Sequence, residues 1–454
     1  MNESVKVTKQ PVPEAQIFPV EAFISPDYVK VEGEKLWPKV WQQACRVEEL
    51  QHVGDYVVYD ILHDTVLITR SDENRISAFY NVCQHRGRRL ADGCGRAMQF
   101  RCKYHAWAYN LTGENIRVLD EADWNGALSK DRVDIPKIQV DTWGGWVWIN
   151  QDPDCVPLRQ YLEPIATMLD PFEPEKMRYR WRLRCVFDCN WKTALEAFAE
   201  AYHVEGTHPQ MLKYAEFYTW STADGLHSHK GFDERKDHLR TLESKTYFRP
   251  GKGEDQRKAI AEMQEHILTT ANASTTQTMV DAAKRLVDEL PETATAAEVT
   301  AHWLKSAKAD DAARGVIWPE IDRDHLSAAG NSCVVFPNLA LAYGFTFMLC
   351  YRARPYGDDP NKCVFEGYVI ERYPEGQEPK TEWIDAQPED VPPLWPPVLM
   401  QDFANMGEVQ KGMRSRGFRG CIPNPKQEET VTNLHRNLAD IMGTGAPTPL
   451  KDAE

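Results

Sequence analysis

The sequence predicts an α+β protein with a small all-β part and a larger part in which a sheet lies against helices. Between Gln51 and Asp152, short runs rich in β-branched and aromatic residues alternate with turn signals such as Ser71–Asn74. Beyond Arg178, strand-like runs alternate with stretches of helical periodicity. The chain has 454 residues, which is enough for two or three domains with sizeable cores.

The individual elements follow in order along the chain. A helix is predicted over residues 24–40, with Pro26 near its start. The predicted strands of the β-rich part are Asp55–Tyr59, Val66–Thr69, Ile76–Tyr80, Phe100–Cys102 and Trp143–Ile149. A strand-like run from Arg178 leads to a helix for which Asn190 is a suitable N-cap. Later predicted strands are Ser332–Phe336, Leu339–Tyr343, Thr346–Arg352 and Val364–Glu371, and later helices are Leu399–Arg416 and Thr432–Met442.

These elements predict a division of the chain into three segments. Residues 1–45 form a helical segment that belongs to the larger domain, and residues 46–160 form the β domain. Residues 161–454 form the rest of the larger domain. Residues 253–315 are rich in Ala, Glu, Lys and Gln, which predicts a helical insertion within that domain.

Composition narrows the functional classes. The net charge of −15 disfavours nucleic-acid binding, because phosphates would be repelled. The sequence has no apolar stretch long enough for a transmembrane helix and no apolar signal-peptide core at its start, so we expect no membrane span and a cytoplasmic location. Most of the eleven cysteines are expected to be buried and reduced, and only those clustered with histidines call for a metal.

The first such cluster contains Cys83, His85, Cys102 and His105. The sequence reads Cys-x-His, then 16 residues, then Cys-x-x-His, so each half offers one thiolate and one imidazole. Two thiolates and two imidazoles are the ligands of a Rieske [2Fe–2S] centre, in which each pair holds one iron. Structural zinc is the alternative, although zinc fingers usually pair two cysteines and then two histidines.

These motifs resemble the Rieske domain of aromatic-ring-hydroxylating oxygenase large (alpha) subunits. The family shows Cys-x-His-Arg-Gly and Cys-x-Tyr-His-Gly-Trp boxes, and this chain has CQHRG at 83–87 and CKYHAW at 102–107. Ala106 stands where the family usually has glycine. The resemblance identifies residues 46–160 as the Rieske domain.

A second constellation begins in NWKTALEAFAEAYHVEGTHPQM, where His203 and His208 are five residues apart. On a regular helix they would point about 140° apart, so they converge only if the helix ends or distorts between them. Gly206 and Pro209 permit such a break. Two histidines and a distant carboxylate make the facial triad of non-haem Fe(II) oxygenases, whereas the pattern alone is more often structural.

The same family resemblance extends to this segment. The family motif runs Asn-Trp-Lys, Glu-Asn, Asp-x-Tyr-His and His, and the matching residues here are Asn190, Trp191, Lys192, Glu196, Tyr202, His203 and His208. Ala197 replaces the usual Asn and Glu200 replaces the usual Asp. The resemblance implies that Glu200 bridges His105 of one subunit and His203 of its neighbour.

The carboxylate of the triad is expected from the C-terminal helix. The segment QDFANMGEVQKG resembles the family pattern, and Asp402, Glu408, Gln410 and Gly412 fit it. Asp402 is the predicted iron ligand, with Glu408 as the fallback.

The resemblance implies a helix-grip catalytic domain, an antiparallel sheet with helices, that holds one mononuclear Fe(II), beside one Rieske [2Fe–2S] cluster per chain. It implies a head-to-tail homotrimer or an α3β3 assembly with a small β subunit. An NAD(P)H-dependent reductase, with or without a ferredoxin, would supply electrons, since the chain lacks a Gly-rich nucleotide motif.

The expected reaction uses O₂ to hydroxylate or dihydroxylate an apolar, aromatic small molecule. The alternatives are a monooxygenase or N/O-demethylase acting on a non-hydrocarbon substrate, which the departures at Ala197 and Glu200 hint at, and a non-catalytic electron-transfer protein. Phe198, Tyr202, Met211 and Phe403 are candidates for the pocket lining and equally for the core.

Overall fold

The computed structural model describes residues 13–214, 217–232 and 255–452. The chain separates into two compact units. One unit comprises residues up to 28, residues 164–355 and residues from 359 onward; the other comprises residues 29–163 and 356–358. The predicted boundary at residue 45 lies later than the boundary between these units. The start of the predicted insertion, residues 253–254, lies outside the described residues.

Runs of hydrophobic and β-branched residues predict about half of the 20 strands that the described residues contain. They are β1 (Gln16–Ile17), β2 (Gln42–Arg46), β3 (Asp55–Ile61), β4 (Asp64–Asp72), β5 (Arg75–Tyr80), β6 (Cys94–Arg96), β7 (Phe100–Arg101), β8 (Ala108–Tyr109), β9 (Asn115–Arg117), β10 (Lys137–Trp143), β11 (Trp146–Asn150), β12 (Arg178–Phe187), β13 (Thr219–Asp224), β14 (His227–Phe232), β15 (Ser332–Val335), β16 (Leu339–Tyr343), β17 (Phe347–Tyr356), β18 (Asp359–Glu371), β19 (Ile384–Asp385) and β20 (Thr448–Pro449).

The helices are concentrated in the larger unit. They are α1 (Glu21–Ile24), α2 (Pro26–Val31), α3 (Lys130–Val133), α4 (Leu158–Leu162), α5 (Ile165–Leu169), α6 (Trp191–Ala199), α7 (Val204–Thr207), α8 (Gln256–Ala271), α9 (Gln277–Glu289), α10 (Ala296–Ala313), α11 (Arg323–Ala329), α12 (Pro397–Gly412) and α13 (Glu429–Met442), with a π-helical turn at Glu32–Leu36 and short 3₁₀ turns at Val47–Glu49, Glu121–Trp124, Asp170–Phe172, Pro174–Lys176, Pro209–Lys213 and Leu450–Asp452. Among the described residues, the search for a helix long and apolar enough to cross a bilayer finds none.

The single helix predicted over residues 24–40 is wrong. The α1 helix ends at Ile24, Ser25 is extended with ψ of 125°, and α2 begins at Pro26. The ring of a proline disfavours helical backbone in the residue before it, so Ser25 separates two short helices. A π-helical turn then ends the segment at Leu36.

The unit of residues 29–163 contains a twisted antiparallel sheet with the strand order β2-β11-β10-β5-β4-β3-β6 and a smaller sheet of β7, β8 and β9. The single strand predicted over 143–149 is wrong, because Gly144 and Gly145 both adopt positive φ (62° and 79°) and form the hairpin turn between β10 and β11. The other predicted strands of this part are confirmed to within a few residues.

The larger unit contains a sheet of strand order β13-β14-β15-β16-β17-β18-β12-β19. The β12 strand pairs antiparallel with β18 along most of its length, and β19 joins β12 in parallel. Helix α13 packs on β13 and β14, α6 packs on β16 and β18, and α12 packs on α6. The predicted sheet with helices against it is therefore confirmed, and α6 and α12 bring distant parts of the sequence together.

The predicted helical insertion consists of α8, α9 and α10 in the described residues. The three helices pack on one another around Leu286, Val299 and Trp303, which are buried, and this cluster includes Phe347 of β17. Asp255, Thr276 and Thr295 act as N-caps, each accepting a hydrogen bond from a backbone amide of the first turn.

Glu371, at the end of β18, gives a prediction about the pH dependence of stability. Its Oε2 lies 3.3 Å from Nη1 of Arg180, yet burial outweighs this ion pair and raises the pKa of Glu371 from 4.5 to about 7. A raised pKa favours the protonated group in the folded chain. The resulting stabilisation is complete below about pH 4.5 and is lost as the pH rises through about 7.

We therefore expect Glu371→Gln to gain about 1–3 kcal/mol relative to the wild type as the pH is raised from about 5 to about 8. Denaturant unfolding at both pH values measures this difference. Glu382→Gln, the same substitution at an exposed position, is the control against which the effect of Glu371→Gln is compared. A shift of equal size at both pH values for Glu371→Gln would contradict the prediction.

Candidate functional site

Cys83 and Cys102 begin two loops of the same backbone shape in the smaller unit. In each loop the cysteine amide donates to the carbonyl five residues on, and the amide four residues on donates to the cysteine carbonyl, with N–O distances of 2.8 to 3.0 Å. The fourth residue has positive φ in both loops, +74° at Gly87 and +59° at Ala106. Both cysteines are buried, so the two loops present two thiols from equivalent positions.

His85 and His105 project from these loops and meet, with ring centroids 4.5 Å apart. Within the described residues, Nδ1 of each ring is buried and has no hydrogen-bond partner. Burying an imidazole nitrogen without a hydrogen-bond partner costs free energy. A bound metal ion would provide the missing partner for each Nδ1 atom. The His85 ring also stacks on Trp107 at 4.9 Å, which fixes its orientation. The four predicted side chains thus fit a cluster with two thiolate and two imidazole ligands.

The two thiols have different electrostatic surroundings. Burial raises the pKa of Cys83, although the Tyr109 hydroxyl lies 3.4 Å from its Sγ. Burial also acts on Cys102, but the backbone N–H groups of Tyr104 and His105 outweigh it and lower the pKa of Cys102. Backbone N–H groups aimed at a thiolate stabilise negative charge there, which suits a cluster ligand.

Ala106 carries a conformational cost that glycine would not. Its φ of +59° lies in the left-handed region, which costs a residue with a Cβ about 1–2 kcal/mol. We expect Ala106→Gly to increase the stability of the smaller unit by about 1 kcal/mol, measured by thermal unfolding of the cluster-loaded protein. Ala97→Gly, at a position without positive φ, is the control and should lower stability. A loss of stability in Ala106→Gly would refute this account.

The second cluster forms where α6 ends in the larger unit. Asn190 caps α6 by accepting a hydrogen bond from the amide of Lys192 at 3.1 Å, as predicted. The helix ends at Ala199, Glu200 is extended, and α7 lies between His203 and His208. This break is the distortion that the five-residue spacing requires, and it turns both rings toward α12.

Asp402, a buried residue of α12, completes this cluster. Its Oδ1 lies 2.8 Å from Nε2 of His208 and 3.5 Å from Nε2 of His203. One ligand atom from each of the three residues lies within 4.8 Å of the others. This spacing and the mix of two imidazoles with one carboxylate fit a facial triad for ferrous iron.

The other nitrogen of each imidazole is held by an oxygen acceptor. Nδ1 of His203 lies 2.7 Å from Oε1 of Glu200, and Nδ1 of His208 lies 2.8 Å from Oε1 of Gln401. Carboxylate and amide oxygens only accept, so each Nδ1 carries the proton and each Nε2 keeps its lone pair for the metal. Gln401 in turn accepts a hydrogen bond from Gln210 at 2.7 Å, which fixes its amide.

Glu200 is also held by the backbone, since its Oε2 accepts hydrogen bonds from the amides of Tyr202 and His203. Burial opposes its charge, but the hydrogen bond from His203 and nearby positive charge lower the pKa of Glu200. Glu200 is therefore ionised, and its carboxylate orients the His203 ring. Whether it also reaches His105 of a neighbouring chain stays a prediction.

Other acidic and amide residues named from the sequence lie apart from this cluster. Glu408 is exposed and pairs with Lys411 at 2.7 Å, so the fallback ligand does not meet the histidines. Gln410 is buried and accepts hydrogen bonds from the amide of Asn190 and the hydroxyl of Thr193, which fastens α12 to α6. Gly412 ends α12.

Several aromatic side chains of the larger unit pack on one another, and one of them, Phe403, follows Asp402 on α12. Phe198 stacks on Tyr351 with ring centroids 3.9 Å apart, and Phe365 contacts both Phe198 and Phe403. Burial, and then the carboxylate of Asp402, raises the pKa of Tyr351 well above its usual value, which places its ring near the cluster. Tyr202 is instead 53% exposed. Sequence reasoning named Phe198 and Phe403 but missed Tyr351, Phe365 and Gln401, because no local motif marks them.

Comparison with known proteins supports both domains. The family model "Ring hydroxylating alpha subunit (catalytic domain)" matches residues 172–444, and the model "Rieske [2Fe-2S] domain" matches residues 40–124. The carnitine monooxygenase oxygenase subunit of Escherichia coli (strain K12) is 28% identical over 201 residues, which is 43% of this chain and 53% of that protein. The chlorobenzene dioxygenase subunit alpha of Cupriavidus sp. (strain PS12) is 32% identical over 187 residues, which is 40% of this chain and 42% of that protein.

The fold agrees with a solved structure of the same class. The quaternary ammonium Rieske monooxygenase CntA in complex with L-carnitine aligns with a TM-score of 0.63 and 17% sequence identity, covering 96% of this chain and 100% of that one. The chain thus spans about half the length of the curated relatives it matches in sequence, but nearly all of this fold. This chain belongs to the family of ring-hydroxylating oxygenase alpha subunits, with a Rieske [2Fe–2S] domain and the catalytic domain that binds mononuclear iron.

Proposed function

We propose that this chain is the terminal oxygenase component of a Rieske system. Cys83, His85, Cys102 and His105 hold its [2Fe–2S] cluster, and His203, His208 and Asp402 hold its mononuclear iron. The observation that supports the second assignment most is the meeting of three ligand atoms within 4.8 Å. Its counterpart in the cluster site is the pair of buried, unpaired Nδ1 atoms.

The groups held in these two sites supply electron transfer and O₂ activation. The protein's own contribution is to place and shield them. Glu200 and Gln401 fix the two imidazole rings, so that His203, His208 and Asp402 would hold an iron ion that supplies the O₂ chemistry. Phe198, Tyr351 and Phe403 form one aromatic wall through Phe365, and this wall would exclude water from the site.

A small quaternary ammonium compound is the substrate class that we favour, with monooxygenation as the reaction. The relatives that act on carnitine and glycine betaine, at 28% and 29% identity, support this class. The aromatic faces beside Asp402 can bind a methylated ammonium head by cation–π attraction. The net charge of −15 also attracts cationic ligands.

Ring oxidation of an aromatic compound is the second candidate. The 32% identity to a chlorobenzene dioxygenase alpha subunit favours it, and the same aromatic wall would stack on a neutral ring. The two candidates differ in whether the substrate must carry a positive charge.

Metal analysis of anaerobically purified protein tests the assignment of the two sites. About three iron and two acid-labile sulfide per chain, with little zinc, are expected for a cluster plus a mononuclear site. About one zinc without sulfide would overturn the proposal. About two iron and two sulfide, unchanged after incubation with Fe(II), would leave an electron carrier instead of an oxygenase.

Substrate-dependent O₂ uptake tests the substrate class. γ-Butyrobetaine should stimulate uptake and yield an oxidised product, whereas 5,5-dimethylhexanoate, in which carbon replaces the charged nitrogen, should not. Naphthalene and benzene represent the second candidate. Uptake with an aromatic ring, and none with a quaternary ammonium compound, would reverse the order of the two candidates.

We further propose that a separate NAD(P)H-dependent reductase, with or without a ferredoxin, reduces the cluster. The assembly would be a homotrimer or an α3β3 complex. Reduction of the cluster by NADH in the presence of a candidate reductase, followed by its visible absorbance, tests the first part. Light scattering of the purified chain, alone and with a candidate β subunit, tests the second.

A further inference from the structure

The two imidazoles of the proposed iron site have hydrogen-bond acceptors of different charge. Nδ1 of His203 faces the Glu200 carboxylate at 2.7 Å, whereas Nδ1 of His208 faces the side-chain amide oxygen of Gln401 at 2.8 Å. A carboxylate that accepts from a ligating histidine makes the opposite ring nitrogen a stronger donor to the metal. A neutral amide has a smaller effect, because hydrogen bonds to charged acceptors are about twice as strong as those to neutral ones.

A second hydrogen bond fixes the Gln401 amide in this orientation. Its Oε1 also accepts from Nε2 of Gln210 at 2.7 Å, so two donors converge on the carbonyl oxygen. Gln210 lies two residues after His208, in the 3₁₀ turn of Pro209–Lys213. The bond therefore joins the segment that carries His208 to α12, the helix that carries Asp402.

Asn405, one turn further along α12, makes a separate contact with the same segment. Its Nδ2 donates to Oγ1 of Thr207 at 3.2 Å and to the carbonyl oxygen of Gln401 at 3.4 Å. These two contacts fasten α12 to α7 without using an imidazole nitrogen as a partner. Two tasks are therefore separate on this helix: Asn405 holds the helix in place, and the side chain of Gln401 accepts from the ring of a metal ligand.

Two carboxylates lie within hydrogen-bond distance of these imidazoles. Asp402 Oδ1 lies 2.8 Å from Nε2 of His208, and Glu200 Oε1 lies 2.7 Å from Nδ1 of His203. As ionised groups they carry two negative charges, which match the two positive charges of a ferrous ion. A carboxylate in place of the Gln401 amide would add a third negative charge, which would favour ferric iron because that ion carries one more positive charge.

We propose that Gln401 keeps the mononuclear iron ferrous, because its neutral amide orients His208 without adding negative charge and without making that imidazole a strong donor. Gln401 is a positioning residue, since it acts on the metal only through His208. The stronger imidazole donor is then His203, which Glu200 supports. This inference rests on the proposed iron site, and it adds to that site a preference for Fe(II) over Fe(III).

The equilibrium between Fe(III) and Fe(II) in the mononuclear site tests the proposal without turnover. Cluster-loaded protein that contains mononuclear iron is titrated with redox mediators, and the EPR signal of high-spin Fe(III) is followed apart from that of the reduced cluster. Gln401→Glu, which has nearly the same shape, should raise the ratio of Fe(III) to Fe(II) at a fixed potential by about 10-fold. This change lowers the midpoint potential by about 59 mV. Gln401→Leu, which offers Nδ1 no acceptor, should weaken Fe(II) binding by about 10-fold or more.

Asn405→Ala is the matched control from the same helix. It removes the contact with Thr207 and keeps the Gln401 acceptor, so the midpoint potential and the Fe(II) affinity should equal those of the wild type. If Gln401→Leu fails to fold, Gln401→Ala takes its place. A wild-type midpoint potential in folded Gln401→Glu would overturn the proposal, and so would an equal shift in Asn405→Ala, which would trace the effect to helix packing. Failure of the wild type itself to bind Fe(II) would instead overturn the proposed function.

Discussion

Replacing Asp402 with alanine should remove the mononuclear iron and leave the [2Fe–2S] cluster intact. Asp402 Oδ1 lies within 3.5 Å of Nε2 of both His203 and His208, and it is the carboxylate in the group of three ligand atoms. Without it, only two neutral imidazoles remain, and they bind Fe(II) more weakly than a set of three ligands that includes an anionic carboxylate. Iron should fall from about three to about two per chain, while acid-labile sulfide stays constant.

Substrate oxidation by Asp402→Ala should fall by on the order of a thousandfold or more, since a metal ion supplies several kcal/mol of transition-state stabilisation. Glu408→Ala is the matched control on the same helix, because Glu408 is exposed and pairs with Lys411. It should keep both iron content and activity. An Asp402→Ala protein that retains a full complement of iron would show that the ligand set is assigned incorrectly.

The sequence predicted the chemistry of both sites better than their surroundings. Cys83, His85, Cys102 and His105 lie within 23 positions of one another, so a local motif identifies them before any tertiary contact is known. His203 and His208 are only five residues apart, so a local motif identifies them as well. The prediction of Asp402 as a ligand depends on the family resemblance. The structure places Asp402 beside both histidines, although 194 residues separate it from His208.

The residues that the sequence did not predict depend on long-range packing. Gln401 meets His208 only because α12 lies along α6, and nothing in its local sequence marks it as a partner of an imidazole. Such contacts are set by the tertiary arrangement, which periodicity and propensity do not encode.

The errors in the predicted elements have local causes. The pattern around Pro26 predicts one long helix, whereas the effect of Pro26 on Ser25 divides that segment into two short helices. The apolar pattern predicts one strand through Gly144 and Gly145, although these two adjacent glycines have positive φ and form the turn that reverses the chain. In both cases the backbone preference of one or two residues overrides the apolar pattern.

Mixing two inactive variants should restore activity if electrons pass between chains. His85→Ala removes a proposed cluster ligand and keeps His203, His208 and Asp402, whereas Asp402→Ala does the reverse. Neither variant alone can oxidise substrate. In the proposed head-to-tail ring, an intact cluster of one chain would serve the intact triad of its neighbour, through the Glu200 that is hydrogen-bonded to His203.

Co-expression of these two variants in equal amounts should therefore yield about a quarter of the wild-type activity per chain. In random assembly, a chain with an intact cluster faces a neighbour with an intact triad at about a quarter of the interfaces. Co-expression of Asp402→Ala with His208→Ala, both defective in the same site, is the control and should remain inactive. If the first mixture is also inactive while its rings assemble normally, electrons travel within each chain. Glu200 would then serve only to orient His203, and its contact with a neighbouring His105 would have no part in electron transfer.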